Sequence, residues 1–153
     1  MVREGDAAPA FELESDRGEA VRLEDFRGRR VVLYFYPRDD TSGCTKEACG
    51  FRDALPDFED VDAVVLGVSP DDVASHVKFR AKYGLNFPLL ADPDHEVAEA
   101  YGVWGTKKMY GREYEGILRT TFVIGADGRV EKVFEKVKPA GHAEEILQAL
   151  GSA

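Results

Sequence analysis

Thiols are scarce in this chain: 153 residues contain two cysteines, Cys44 and Cys49. That is too few for a disulfide framework, and a chain of this length can bury a core without one. Long apolar runs are absent too, since none approaches the roughly 18 residues of a membrane-spanning helix. The opening, MVREGDAAPAFEL, has no hydrophobic centre of an export signal. A reducing, cytoplasmic setting and a reactive thiol pair are the expectation. Positive charge is short as well. The net charge of −9 argues against a nucleic-acid surface, which needs basic clusters. His76, His95 and His142 are scattered, and with two thiols they make a poor zinc set. There is no internal repeat, low-complexity tract or linker. What remains is an ordinary globular composition, 44% hydrophobic and 32% charged, read as one domain over residues 1–153.

The organising stretch runs from Val31 to Leu55. Val31-Val32-Leu33-Tyr34-Phe35-Tyr36 is β-branched and aromatic without alternation, as in a central strand covered on both faces. Pro37 ends it. Thr41 or Ser42 can cap a helix with Cys44 in its first turn and Cys49 one turn later. Cys44, Ala48, Phe51 and Leu55 share the face that should meet the sheet, Cys49 lies off it, and Pro56 is expected to stop the helix.

Around that stretch, Asp16-Arg17-Gly18 turns a short N-terminal hairpin between residues 11–13 and 20–23. Residues 63–68 form the next strand, and Ser69-Pro70-Asp71-Asp72 starts a helix that Gly84 ends. Phe87 to Leu90 is a short strand, followed by a helix from about Asp92-Pro93 to Gly102. Asp92, Asp94 and Glu96 fit helix capping better than a calcium loop, which would not accept Pro93 and needs a glycine at its sixth position. Residues 103–116 show weak periodicity and are expected to be a long loop. Leu118–Ile124 and Arg129–Phe134 pair across Gly125-Ala126-Asp127-Gly128, and Ala143, Ile146, Leu147 and Leu150 mark a closing helix. A βαβ half followed by a ββα half is the thioredoxin-like α/β plan: a central mixed sheet flanked by helices, here with an N-terminal hairpin extension.

A helix N-terminus contributes only ~0.3–1 kcal/mol, too little to ionise a thiol of ordinary pKa near neutrality. A nearby cation must supply the rest, and Arg119, at the opening of a core strand, is the candidate. On an ideal helix, residues five apart have Cα atoms about 8.7 Å apart, beyond the ~7 Å reach of a disulfide. Cys44 and Cys49 therefore cannot bond until the helix opens, which Gly43 and Gly50 make easier. The pair suits a two-stage cycle: Cys44 is oxidised to a sulfenic acid, Cys49 condenses with it, and an external dithiol restores both. A general thiol–disulfide oxidoreductase or redox sensor that uses the pair without such turnover is the alternative, and a non-catalytic binding domain is a third reading.

FYPRDDTSGCTKEACGFRD resembles the peroxiredoxins, in particular the bacterioferritin comigratory protein or peroxiredoxin Q group. Pro37, Thr41 and Cys44 match the family signature at its spacing, and Cys49 matches the group's second cysteine. The likeness continues through VWGTKKMYGREYEG and LRTTFVIGADGRV. It departs at Ser42, where relatives commonly have proline. The resemblance implies a thiol peroxidase for hydrogen peroxide and organic hydroperoxides, with Cys44 peroxidatic and Cys49 resolving. Thr41 and Arg119 would hold the peroxide, and Pro37 would shield it from water. It further implies recycling by thioredoxin or a similar dithiol protein, no metal or organic cofactor, and a monomer.

Overall fold

The computed structural model describes residues 1–151. Its elements are β1 (Glu12–Ser15), β2 (Ala20–Arg22), a single 3-10 turn (Leu23–Phe26), β3 (Arg30–Phe35), α1 (Ser42–Asp60), β4 (Ala63–Ser69) and α2 (Val73–Tyr83). After these come β5 (Leu89–Ala91), α3 (Glu96–Tyr101), β6 (Trp104–Met109), β7 (Arg112–Ile117), β8 (Thr120–Ile124), β9 (Val130–Phe134) and α4 (His142–Gly151). Seven strands form one sheet in the order β2-β1-β5-β4-β3-β8-β9. The β3–β4 and β4–β5 pairs are parallel, whereas β1–β5, β3–β8 and β8–β9 are antiparallel. The expected mixed sheet with an N-terminal hairpin on one edge is the architecture found.

The two faces of β3 explain its unbroken apolar run. Val32 and Tyr34, with Tyr36 just beyond the strand, join a cluster with Phe51 and Phe58 of α1, Phe79 of α2 and Ile146 of α4. Val31, Leu33 and Phe35 face the opposite cluster, with Tyr101 of α3 and Phe122 of β8. A strand sandwiched this way needs apolar residues at every position rather than at alternate ones.

Four local expectations need correction. Pro56 does not stop α1, which continues to Asp60. Proline has no N–H for the carbonyl four residues back, but that carbonyl, on Arg52, accepts from Asn86 Nδ2 at 3.2 Å. Ser69 stays in β4; Asp72 is the N-cap of α2, accepting from the Ser75 N–H at 2.8 Å. The helix after β5 begins at Glu96, and Asp92 reaches forward to accept from the N–H groups of Val97 and Ala98. Lastly, residues 103–116 are no loop. β6 and β7 form a separate two-stranded hairpin turning at Tyr110-Gly111, both at positive φ (52° and 76°). This is the twisted turn hairpins favour, built here without the Asn-Gly or Asp-Gly pair that would announce it.

Candidate active site

The site forms where β3 hands over to α1. Parallel β4 and antiparallel β8 flank β3, and the Phe35–Thr120 register brings the residue before β8, Arg119, to the same end as Cys44. Cys44 is 1% exposed in the first turn of α1, while Cys49 is half-buried; both thiols are free. Arg119 Nη2 donates to Cys44 Sγ at 3.2 Å, and Nη1 donates to Glu47 Oε1 at 2.6 Å. One guanidinium thus bridges the thiol and a carboxylate one turn further along the same helix. Gly43 permits the approach, since a Cβ there would lie 3.3 Å from Pro139 Cγ and 3.4 Å from Arg119 Nη2.

Glu47 belongs to the site and was missed in the sequence. Its side chain is sealed from solvent, and burial pushes its pKa up to about 7 against the opposing charge and hydrogen bond of Arg119. The signal was present: Glu47 lies three residues from Cys44 and shares the buried face of Ala48, Phe51, Ala54 and Phe58. An acid on a core-facing stripe requires a partner. Its Oε2 and the hydroxyl of Tyr34 are buried without a hydrogen-bond partner among the described residues. Burial, then the negative charge of Glu47, hold the Tyr34 phenol protonated well above its ordinary range.

Thr41 is the N-cap residue of α1, but its side chain does not cap. Its exposed Oγ1 donates to the Arg38 carbonyl at 3.1 Å, while its own carbonyl accepts from the Thr45 N–H. Pro37, half-buried, links β3 to this loop. The loop is anchored by Asp39, which accepts from Tyr36 at 2.6 Å and Ser75 at 2.8 Å and pairs with His76 Nδ1 at 2.7 Å. Burial draws the His76 pKa down, but the hydrogen bond and charge of Asp39 outweigh it and the net shift is upward. His76 Nε2 also faces a carbonyl, that of Leu90, at 2.9 Å. Both ring nitrogens meet acceptors, so Asp39, Asp71 and His76, although close together, form an ion-pair anchor with no imidazole lone pair for a metal.

A buried thiol against a guanidinium, at the start of a helix carrying a second thiol, places a cation at the first sulfur and a bonding partner for it one turn along. Comparison with known proteins gives the arrangement a context. The family model described as AhpC/TSA matches residues 4–133. The chain is 51% identical over 146 residues to peroxiredoxin Bcp of Bacillus subtilis, covering 95% of this chain and 93% of that one. It is 45% identical over 149 residues to peroxiredoxin Bcp of Escherichia coli, covering 97% and 96%. Among solved structures, the bacterioferritin comigratory protein of Xanthomonas campestris, studied for its alkyl peroxide reduction activity, superposes with a TM-score of 0.91. The two are 39% identical, with 99% of this chain and 97% of that one covered.

Proposed function

The chain belongs to the AhpC/TSA family, and from that membership we propose a residue-level cycle for its thiol peroxidase activity. It is a peroxiredoxin. The observation that carries the cycle is the 3.2 Å contact from Arg119 Nη2 to Cys44 Sγ. Cys44 is the peroxidatic residue: its thiolate attacks one peroxide oxygen, an S–O bond forms and the O–O bond breaks. The departing alkoxide takes a proton and leaves as an alcohol, or as water from hydrogen peroxide. Cys44 has then lost two electrons and is a sulfenic acid. Arg119 faces the negative charge on both sulfur and leaving oxygen, a stabilisation strengthened by its low-dielectric surroundings. Thr41 Oγ1 donates its hydrogen bond to the Arg38 carbonyl, so its lone pairs remain to accept from the hydroperoxide O–H. Pro37, half-buried where β3 meets the Thr41 loop, shields the reacting sulfur from water.

Cys49 is the resolving residue. Once the first turns of α1 unwind, its thiol attacks the sulfenic sulfur, a disulfide forms and water leaves. A thioredoxin-like dithiol protein reduces that disulfide. The substrates are hydrogen peroxide and alkyl hydroperoxides, and the setting is a single-domain, cytoplasmic monomer. Among the described residues, no helix is long and apolar enough to cross a membrane.

Mass spectrometry after one equivalent of peroxide tests the assignment. The wild type should show a Cys44–Cys49 link. Cys49→Ser should stop at the sulfenic acid after a single turnover, and Cys44→Ser should consume no peroxide. Wild-type consumption by Cys44→Ser would overturn the scheme. Oxidation of Cys44 no faster than a free thiol would instead favour a disulfide exchanger.

A further inference from the structure

The β6–β7 hairpin has a surface that neither the fold nor the thiol cycle uses. The exposed large hydrophobic side chains among the described residues are Met1, Val77 and three on this hairpin: Met109 at 54%, Tyr110 at 98% and Tyr114 at 41%. Tyr110 occupies the turn at φ 52°, a conformation uncommon for a residue other than glycine, asparagine or aspartate, and displays its ring to solvent. A folding requirement for the turn alone would be met better by asparagine. Exposed aromatic and methionine side chains gathered at one tip mark a recognition surface.

The charge there runs against the rest of the molecule. The hairpin, residues 104–117, carries three cations, Lys107, Lys108 and Arg112, against two acids, Glu113 and Glu115, in a chain of net charge −9. Both acids are already engaged, Glu113 with Lys108 at 3.6 Å and Glu115 with the Trp104 indole N–H at 3.3 Å. Lys107 and Arg112 have no carboxylate partner among the described residues.

The hairpin is also tied to the thiol site. β7 ends two residues before Arg119, and Gly105 sits against Leu118. Lys107 lies back over Gly116, where a Cβ would be 3.3 Å from its Cδ. Its ammonium is partly buried, and burial lowers its pKa, with the charges of Arg119 and Cys44 acting on it in opposite directions.

We propose that the β6–β7 hairpin is the docking finger for the protein reductant, a small dithiol protein whose apolar face is rimmed by carboxylates. The tip aromatics bury against that face, and Lys107, Lys108 and Arg112 meet its acids beside the cysteines being reduced. This rests on the thiol cycle proposed above and adds the place and chemistry of its last step.

Steady-state kinetics with a thioredoxin of acidic pI, in parallel with dithiothreitol, tests it. Tyr110→Asn keeps a favoured turn and removes the ring; Lys108→Glu/Arg112→Glu reverses the charge. Each should raise the KM for thioredoxin about tenfold, the scale of losing one anchor side chain. Recycling by dithiothreitol and the peroxide oxidation of Cys44, followed by quenched mass spectrometry, should stay unchanged. The wild-type KM should rise between low and high salt, and that of the charge-reversed variant should not. An unchanged KM, or an equal loss with dithiothreitol, overturns the docking role. So does a dimer in sedimentation that Tyr110→Asn dissociates, which would make the tip a contact between copies. If instead the wild type fails to react with peroxide, the underlying cycle fails, and the docking role with it.

Discussion

A carboxyl group closed off from water beside one guanidinium is held between two demands. Desolvation favours protonated Glu47 and Arg119 favours the anion, and the balance leaves its pKa at about 7. In the unfolded chain it titrates near 4.5. The folded value is raised, so between those limits the folded state binds the extra proton. Stability from this group is therefore greatest at acid pH and falls as pH rises to about 7. The size of the effect is on the order of 3 kcal/mol at 1.36 kcal/mol per unit. Glu47→Gln, which cannot titrate, should lack that slope. Urea unfolding of both proteins from pH 4.5 to 8 should show the difference between them changing by about this amount; a constant difference would mean Glu47 does not titrate in that window. At this scale the sequence was half legible. Cys44 and Arg119 could be paired, 75 residues apart, because a thiolate needs a cation. Glu47 was hidden among the acids of an acidic chain, and Thr41 reads as a side-chain cap although its hydroxyl turns to Arg38.

α1 contains two glycines whose surroundings differ, so alanine at each should report on a different step. At Gly50 a Cβ would meet only Ala143 Cβ, at an ordinary 3.9 Å. Gly50→Ala should therefore stabilise the helix by ~0.5–1 kcal/mol and slow its opening up to about fivefold. Disulfide closure after peroxide should slow accordingly, while Cys44 oxidation keeps its rate. At Gly43 a Cβ presses on Pro139 and on the guanidinium that serves Cys44. Gly43→Ala should instead slow oxidation itself. Stopped-flow oxidation followed by quenched mapping of the link separates the two steps. If both variants slowed the same step, the glycines would have no separate roles. Long, strongly patterned elements such as α1 and β3 could be read from the sequence because their apolar spacing reports directly on what covers them. The β6–β7 hairpin could not: Tyr110-Gly111 is an unusual pair for its turn, and two glycines blur its alternation. The extension of α1 past Pro56 depends on Asn86, a side chain 30 residues away, and no local pattern announces it.

For the whole molecule, the order of α/β units fixed the central strands. The antiparallel contact of β1 with β5 brings residues 14–15 against 90–91, a pairing between distant segments that leaves no mark on either one. The same separation between local pattern and global packing determines what disulfide formation does to stability. Closing Cys44 to Cys49 makes a very short ring, and restricting the unfolded chain this way contributes ~2 kcal/mol in the loop-entropy account. Forming the bond requires unwinding the helix from its start through Gly50, which takes both of Arg119's partners, Cys44 and Glu47, out of the site. Their departure leaves the largely buried Arg119 cation uncompensated, which costs ~3–5 kcal/mol, before any loss of packing by Ala48 and Cys44 against the sheet. The unpacking outweighs the cross-link, so the oxidised protein should be the less stable form, by ~1–3 kcal/mol. Urea midpoints of reduced and oxidised wild type measure this directly, with Cys49→Ser taken through the same oxidation to remove effects of sulfur chemistry alone. Faster amide exchange in the oxidised form should be confined to the start of α1. An oxidised form that is more stable than the reduced one would mean the bond closes without opening the helix, and Arg119 would then never have left Glu47.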